Sequence, residues 1–356
     1  MVIIRKKVIG KQAYYYLEHT IRKGKKVEKR EKYIGKILPK NIEEIKKEFL
    51  SEIYKEKWYP LFEKIKINFS KEFRKMPKAA KEKEIETFSI KLTYNTQRIE
   101  GSKLTLRETA DLLERGIAPK AKPLHDIKEA EAHQKIFYEM LNYKKDLSLQ
   151  IILYWHKKLF EASKPEIAGK IRNHQVAISG SRFVPPFPAE IYPMLKEFFS
   201  WYEKNKTKIH PVELAALAHL KFVTIHPFTD GNGRISRLIM NFILHKHGYP
   251  LLDISYENRS SYYNALERAQ IKKMDGIFLR WFFKRYVKEH QRYLKENKSK
   301  PRTASHILSN IPRSSSHQQK VFPHRQHALS LFFLPSSLSQ LQKLELLAES
   351  HTLSCS

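Results

Sequence analysis

Residues 226–237 read His226-Pro-Phe-Thr-Asp-Gly-Asn-Gly-Arg-Ile-Ser-Arg237 and connect two helical patterns. Before them, residues 211–225 carry apolar side chains at helical spacing and predict a buried helix. The residue before a proline is pushed away from the helical region, so this helix ends ahead of Pro227. A second helical pattern covers residues 234–247, and Gly248 is its expected stop. The sequence therefore predicts a loop that feeds directly into a helix N-terminus.

The loop contains residue types that suit a phosphate group. Unpaired N–H groups and the positive dipole end make a helix N-terminus an anion site. Gly231 and Gly233 let the main chain approach an anion closely, with Asn232 between them. Asp230 supplies a hard oxygen ligand suited to Mg²⁺, and His226 is a side chain able to take a proton near neutral pH.

Two arginines strengthen this interpretation. Arg234 and Arg237 are three residues apart and project from one face of the first helical turn. A cation at a helix N-terminus costs roughly 0.3–1 kcal/mol, so the pair indicates an anion between them. The bland alternatives are an ordinary Asp-Gly-Asn-Gly turn or half of a calcium loop. The calcium alternative lacks its later carboxylate, because the next acid after Asp230 is Asp253.

Residues 226–237 resemble, with no departure, the Fic family signature His-Pro-Phe-x-Asp/Glu-Gly-Asn-Gly-Arg-x-x-Arg. The resemblance extends over residues 90–290 and implies a mostly helical fold. It also implies transfer of a nucleoside monophosphate, usually AMP from ATP, to a protein hydroxyl of Ser, Thr or Tyr. On this resemblance His226 is the catalytic base that deprotonates the hydroxyl, and Asp230 holds Mg²⁺ between the α- and β-phosphates.

The resemblance also assigns the nucleotide contacts. Asn232 and the amides around Gly231 and Gly233 would cradle the α- and β-phosphates, Arg234 would meet the β-phosphate, and Arg237 would meet the γ-phosphate. Asn258–Leu266 resembles the family segment that encloses the adenine, where Tyr262 and Tyr263 would contact the base. Packing of two helical tyrosines is the alternative for that pair. Because base selectivity depends on pocket shape, UTP and GTP stay open.

An upstream helix carries an unusual acid at its end. Residues 77–100 predict a helix that Gly101 terminates, which places Glu100 at the C-terminus, where an anion is disfavoured. The next helix begins with Thr105-Leu-Arg-Glu108, a capping-box pattern. From the residues alone, Glu100 either pairs with a cation or is a solvated residue at a frayed end.

Thr96-x-x-x-Glu100-Gly101 resembles the inhibitory motif of Fic proteins, Ser/Thr-x-x-x-Glu-Gly/Asn. The resemblance implies that residues 90–101 form an inhibitory helix whose Glu100 pairs with Arg237 and obstructs the productive γ-phosphate position. In some family members this glutamate instead positions water that removes AMP from a modified protein. Whether the chain adds AMP, removes it or does both stays open.

Residues 174–186 predict a β-hairpin around the turn Ser179-Gly-Ser-Arg182. An exposed hairpin edge binds an extended peptide through main-chain hydrogen bonds. The segment resembles the family's flap, which places the target beside the base, and a simple surface hairpin is the alternative. The predicted target-docking residues are Val176, Ala177, Ile178, Phe183 and Val184.

The N-terminal region, residues 1–36, predicts a basic three-stranded antiparallel meander with strands at 2–8, 12–19 and 27–34. Basic sheets with interleaved aromatics bind nucleic acid, but a solvated basic face on a packing element is the alternative. Residues 37–89 predict a helical linker, with the helix over 41–75 bent or broken at Pro60.

Composition sets the remaining expectations. The 356 residues include 67 Lys and Arg against 37 Asp and Glu, a net charge of +30 that favours acidic partners and ATP. A single cysteine, Cys355, excludes an intramolecular disulfide and fits a reducing compartment. The start lacks a signal-peptide pattern and no apolar run has membrane-spanning length. We therefore expect a cytoplasmic protein without membrane contact, a monomer or homodimer, with a disordered tail over 299–356.

The fold expected is mainly α: a Fic-type helical bundle with a small β-hairpin flap and the N-terminal meander. The leading hypothesis is a protein adenylyltransferase, autoinhibited by Glu100, that uses Mg²⁺ and ATP on an unknown target protein or on itself. The alternative is a nucleotide-sensing or nucleic-acid-binding regulator with vestigial catalysis. His226 argues against that alternative, because a site that only binds has no need of a base.

Overall fold

The computed structural model of the chain describes residues 2–23 and 26–295. They form a mainly helical fold with one small antiparallel sheet at the N-terminus, which confirms the predicted fold class. Within these ranges no helix combines the length and apolar character needed to cross a membrane. The predicted tail, residues 299–356, and Cys355 lie outside the described residues.

The sheet has three strands in the order β1-β2-β3, which are β1 (Ile3–Ile9), β2 (Gln12–Lys23) and β3 (Lys26–Gly35). Both pairings are antiparallel, with a register shift at Tyr15/Tyr16. One face of β2 is apolar, and its Leu17 and Ile21 are buried against the first helix. The meander is therefore an element with a small core of its own.

The helices, in chain order, are α1 (Ile42–Lys75), α2 (Lys78–Ile99), α3 (Leu106–Arg115), α4 (Leu124–Asn142), α5 (Leu149–Phe160), α6 (Pro188–Asn205), α7 (Pro211–Ile225), α8 (Asn232–Lys246), α9 (Arg259–Lys272) and α10 (Asp275–Glu289). Short 3-10 turns at Tyr256–Asn258 and Gln291–Leu294 complete the described chain. The capping box predicted for α3 is present, with Thr105 and Glu108 satisfying each other's main-chain N–H groups.

Helix α1 corrects two expectations. It runs unbroken through Pro60, although proline removes one hydrogen-bond donor. Its buried residues on both sides of the proline pack into the same core, where Trp58 and Phe62 contact the ring of Phe283 in α10. This shared packing explains why the helix does not break. It also means that the predicted linker, residues 37–89, is part of the core.

Helices α7 and α8 form the centre of the molecule. Nearly every residue of α7 is buried, as its continuous apolar pattern predicts. α8 packs against it through Ile235, Leu238 and Ile239, which are all at most 1% exposed. The junction between these helices therefore has little freedom to move, and it contains the residues of the signature.

Among the described residues of the meander, five basic side chains form ion pairs with acids: Arg5, Lys7, Lys29, Arg30 and Lys32. Glu18 forms ion pairs with Arg5 at 2.8 Å and with Lys29 at 2.6 Å. Arg30 and Lys32 pair with acids of α1 at 2.8 and 3.0 Å. This compensation, together with the packed face of β2, favours the packing interpretation over a nucleic-acid surface.

Candidate active site

The signature forms a tight corner between α7 and α8. His226 ends α7 in the left-handed conformation, with φ 52°. Gly231, with φ 83°, is the N-cap of α8, so the helix begins at Asn232, two residues earlier than the pattern predicted. The Asn232 side chain accepts a hydrogen bond from the Phe228 N–H at 2.9 Å and donates one to the Phe228 carbonyl at 2.7 Å. Asn232 thus closes the loop, and its side chain is buried.

The hydrogen bonding of His226 fixes its tautomer. Nδ1 lies 3.3 Å from the carbonyl oxygen of Val223, and only a protonated Nδ1 can donate there. Nε2 then carries the lone pair. Burial lowers the pKa of His226, and the nearby charge of Arg172 lowers it further, while the hydrogen bond to Val223 opposes them. The imidazole is therefore neutral near pH 7, as a general base requires.

Arg172 is a site residue that sequence reasoning did not single out. Its guanidinium is 4% exposed and donates to three main-chain carbonyls: His226 at 2.8 Å, His174 at 2.9 Å and Pro186 at 2.6 Å. Burial lowers the pKa of Arg172. The side chain joins both ends of the predicted flap to the catalytic corner. Its position in Gly169-Lys-Ile-Arg172, directly before the flap, was the only signal in the sequence.

The flap prediction is correct for the turn and wrong for the strands. Ser181 N–H donates to the Ile178 carbonyl at 3.0 Å, but the arms over 174–186 form no β-ladder. Pro185 and Pro186 lack N–H donors, and the Gln175 side chain bridges to the Pro185 carbonyl at 2.9 Å. Of the five predicted docking residues, three are half-buried and two exposed: Val176, Ile178 and Phe183, then Ala177 and Val184.

A second histidine, His156 of α5, supports the signature loop through a hydrogen bond to its main chain. Its Nδ1 accepts from the Gly169 N–H at 2.9 Å, so Nε2 carries the proton and donates to the Asp230 carbonyl at 3.0 Å. The ring stacks on Phe228 with centroids 3.7 Å apart. Burial lowers the pKa of His156 to about 4, which keeps it neutral. A lone histidine in an apolar helix gave no sequence signal for this role.

Four charged side chains form a closed group, here called the charge quartet: Asp230, Arg234, Glu129 and Lys164. Asp230 pairs with Arg234 at 2.8 Å and with Lys164 at 2.7 Å. Glu129 pairs with Arg234 and, at 3.3 Å, with Lys164. Burial opposes the charged form of Asp230, but the two cations outweigh it and hold its pKa at about 2. Glu129 and Lys164 were not predicted, because they are far from the signature in sequence.

The predicted inhibitory residues, Thr96 and Glu100, contact Arg237 of the signature. Glu100 Oε1 lies 2.6 Å from Arg237 Nη2, and Arg237 is 1% exposed. Thr96 contributes its carbonyl at 3.2 Å and its hydroxyl at 3.3 Å to the same guanidinium. Burial opposes the charge on Arg237, yet Glu100 raises the pKa of that group overall. The Glu100 carboxylate also packs against Gly233, at the N-terminus of α8.

The two tyrosines expected around the adenine differ in position. Tyr262 is 1% exposed and lies behind Arg237, with its hydroxyl 2.9 Å from His219 Nε2 and 3.5 Å from Arg237 Nη1. A stacking role for Tyr262 is therefore wrong in this conformation, because the core covers its ring. Tyr263 is 45% exposed and donates its hydroxyl to the Ile99 carbonyl at 2.9 Å. It remains available to a base.

The donor set fits a magnesium ion only in company with phosphates. Among residues 2–23 and 26–295, no three His, Cys, Asp or Glu side chains are grouped for a metal. Asp230 is the carboxylate at the loop, and its side chain is 35% exposed. Mg²⁺ commonly takes one or two carboxylates and completes its shell with phosphate oxygens and water.

Comparison with known proteins identifies relatives of this site. Residues 146–244 match the model of the Fic/DOC family. The chain is 37% identical over 180 residues to protein adenylyltransferase Fic of Drosophila ananassae, covering 49% of this chain and 36% of the relative. It is 34% identical over 212 residues to protein adenylyltransferase fic-1 of Caenorhabditis elegans, covering 56% and 40%. The chain thus spans well under half the length of these relatives.

Solved structures share the fold. A Fic domain containing signaling protein from Bacteroides thetaiotaomicron superposes with a TM-score of 0.57 at 27% identity, covering 65% of this chain and 95% of that one. A Fic-1 fragment from Caenorhabditis elegans gives a TM-score of 0.57 at 29% identity, covering 69% and 72%.

Proposed function

Since residues 146–244 match the model of the Fic/DOC family, we propose that this protein transfers AMP from ATP to a hydroxyl side chain of a target protein. The fly and nematode relatives carry the name adenylyltransferase. The observation that carries the proposal is the neutral His226, whose Nε2 is free beside the N-terminus of α8. A base next to an anion site is what hydroxyl attack on a phosphate needs.

In the proposed reaction, His226 Nε2 takes the proton of a Ser, Thr or Tyr hydroxyl. The hydroxyl oxygen forms a bond to the α-phosphorus, and the bond between that phosphorus and the oxygen bridging to the β-phosphate breaks, releasing pyrophosphate. Such transfers depend on positioning and charge neutralisation. The amides around Gly231 and Gly233 would supply the anion site, and Asp230 would hold Mg²⁺, which neutralises phosphate charge.

The arginines of the signature would bind the outer phosphates, Arg234 the β- and Arg237 the γ-phosphate. In the resting structure internal acids occupy both guanidinium groups. Glu100 therefore must leave Arg237 before a γ-phosphate can take its place. We propose on this basis that Glu100 inhibits the enzyme, with Thr96 holding the same arginine in position.

Target docking is proposed at the flap, residues 174–186. Its arms lack a β-ladder, so main-chain groups remain for an added strand from the target protein. The arginine that joins the flap to His226 would keep the docked hydroxyl in register with the base. The target is another protein or a second site on this one.

The test is labelling with α-³²P-ATP and γ-³²P-ATP of the wild type and of Glu100→Gly, His226→Ala and Glu161→Gly. Glu161 also follows a helix C-terminus, and within the described part of the chain its ion-pair partner is Lys158 at the surface, so it is the matched control. We expect protein-bound label from α-³²P-ATP only, increased at least about tenfold in Glu100→Gly, a gain corresponding to about 1.4 kcal/mol. His226→Ala should abolish it, and unlabelled GTP and UTP should compete weakly.

Label from γ-³²P-ATP would indicate kinase chemistry, and equal label in His226→Ala would exclude the proposed base. Removal of AMP is proposed as a second activity of the same site, in which Glu100, once released from Arg237, would position the attacking water. Wild type added to labelled product should then release AMP, and Glu100→Gly should not.

A further inference from the structure

The ammonium group of Lys164 forms an ion pair with Asp230, the residue proposed to bind the metal. Lys164 follows α5, where its N–H donates to the Phe160 carbonyl at 2.8 Å. Its ammonium lies 2.7 Å from Asp230 Oδ2 and 3.3 Å from Glu129 Oε1. The family signature does not contain this lysine, and the proposed reaction assigns it no role.

Every carboxylate oxygen of the charge quartet has a partner. Asp230 Oδ1 accepts from Arg234 at 2.8 Å and from the Gly231 N–H at 2.5 Å, and Oδ2 accepts from Lys164. On Glu129, one oxygen pairs with Arg234, and the other accepts from Ser163 at 3.1 Å and faces Lys164. The two negative and two positive charges of the quartet therefore cancel. A divalent cation arriving alone meets an ammonium ion and no free carboxylate oxygen.

The two cations of the quartet differ in how readily they move. Arg234 is 2% exposed, and besides its two acids it donates to Gln97 at 3.1 Å. Lys164 has a side chain 33% exposed, on a flexible stem. Lys164 is therefore the cation that can leave Asp230 while the loop keeps its shape.

We propose that Lys164 makes divalent-metal binding at Asp230 depend on a nucleotide. Its ammonium pairs with Asp230 until a metal–nucleotide complex arrives and then moves to the phosphates. The phosphates carry more negative charge than the metal ion neutralises, so they still attract the ammonium. This inference rests on the proposed function for the identity of the nucleotide. It assigns Lys164 a direct contact with the substrate and explains why a cation occupies the metal ligand at rest.

The test measures Mn²⁺ binding by electron paramagnetic resonance, without nucleotide, in wild type, Lys164→Met and Lys158→Met. Lys158 is the control on α5, because its partner is the surface residue Glu161. We expect Lys164→Met to bind Mn²⁺ at least about tenfold more tightly than the other two, since a unit charge close to the ion has been removed. Adding Asp230→Asn to Lys164→Met should abolish that gain.

With a non-hydrolysable ATP analogue, wild type should bind Mn²⁺ far more tightly than without it, and Lys164→Met should show a much smaller difference. Lys164→Gln should behave like Lys164→Met, and thermal melts establish that each variant is folded. Mn²⁺ affinity unchanged in both Lys164 variants, or a gain that survives Asp230→Asn, would overturn the inference. Mn²⁺ binding needs no AMP transfer, so a protein that shows the coupling but labels nothing contradicts the proposed function alone.

Discussion

Gly233 shows how closely a single residue is fitted to the resting site. A Cβ at this position would lie 2.2 Å from Glu100 Oε1 and 3.1 Å from Arg237 Nη1. Its main chain is helical, so conformational freedom is not the reason for a glycine here. The second glycine of the signature therefore leaves room for the Glu100 carboxylate.

The Gly233→Ala substitution should therefore change the free energy of unfolding by different amounts in the wild type and in Glu100→Gly. In wild type we expect it to lower the free energy of unfolding by about 1–3 kcal/mol, the usual range for overpacking. In Glu100→Gly the clashing carboxylate is absent, and alanine should cost little or even stabilise α8. Urea denaturation of the four proteins in this double-mutant cycle measures the difference. Equal costs in both backgrounds would contradict the contact.

Two histidines beside the loop hold opposite tautomers. His226 has its proton on Nδ1 because a carbonyl accepts it there, whereas His156 has its proton on Nε2 because its Nδ1 accepts from an amide. Only His226 keeps a nitrogen free for chemistry. Sequence identifies both residues as histidine, and only the main-chain partner decides which one can act as a base.

At the scale of elements, α2 carries Glu100 at its C-terminus and connects it to the rest of the protein. Asn95 donates to Asp253 Oδ2 at 2.6 Å and accepts from the Tyr256 N–H at 3.0 Å. Two residues later, on another side of the helix, Gln97 donates to the Glu129 carbonyl at 2.8 Å. Glu100 therefore approaches Arg237 from a helix that buried hydrogen bonds fix on two sides.

Asn95→Ala should loosen this helix. We expect a loss of about 1–3 kcal/mol in the free energy of unfolding, because Asp253 is left without its buried donor. Self-labelling from α-³²P-ATP should rise above wild type, and hydrogen exchange over residues 92–101 should quicken. Thr87→Ala is the control on α2, since the Thr87 hydroxyl donates to the carbonyl of Lys83 in its own helix. Lower stability with unchanged labelling would show that the anchor does not support inhibition.

Elements with a local pattern were predicted well, and those that depend on distant contacts were not. α7 is buried all round and α3 has its capping box, so both follow from neighbouring residues. Helix α1 was expected to be bent or broken at Pro60, but it is continuous, and its residues on both sides of the proline pack into the same core. The flap has its turn without strands, because side chains bridge its arms.

The same distinction applies to the site. Two motifs with fixed spacing contain His226, Arg237 and Glu100, so the sequence alone was enough to select these residues. The partners of Asp230 come from α4 and from the turn after α5, and no spacing relates them to the signature. The sequence could not show that Tyr262 is buried while Tyr263 is exposed, because neighbouring tyrosines in a helical pattern look alike.

For the whole molecule, buried histidines predict sensitivity to acid. Burial lowers the pKa of five of them to about 3 or 4, and these are His133, His156, His210, His219 and His290. The unfolded chain binds protons at these positions near pH 6.5, whereas the folded protein does not. Stability therefore falls as the pH drops below about 6.5, by roughly 1 kcal/mol per pH unit for each histidine. Asp253 opposes this, since burial raises its pKa to about 7.

We expect the melting temperature to fall steadily from pH 7 to pH 5, and circular dichroism melts at three pH values measure it. Burial also raises the pKa of Glu213, which opposes the change as Asp253 does. The five histidines outnumber these two acids, so we expect the net change to follow the histidines. A melting temperature that is constant or higher at pH 5 would contradict the neutral burial of these rings.

The internal pairing of Arg234 and Arg237 has a consequence for the thermodynamics of ligand binding. Both guanidinium groups lose their water when the protein folds, with Glu129, Asp230 and Glu100 as counter-ions. If the proposed function holds, a nucleotide would replace one anion with another and would remove little further water from the arginines. Its affinity would then reflect the difference between a phosphate and a carboxylate as partners of a buried guanidinium group, rather than the net positive charge of the whole protein.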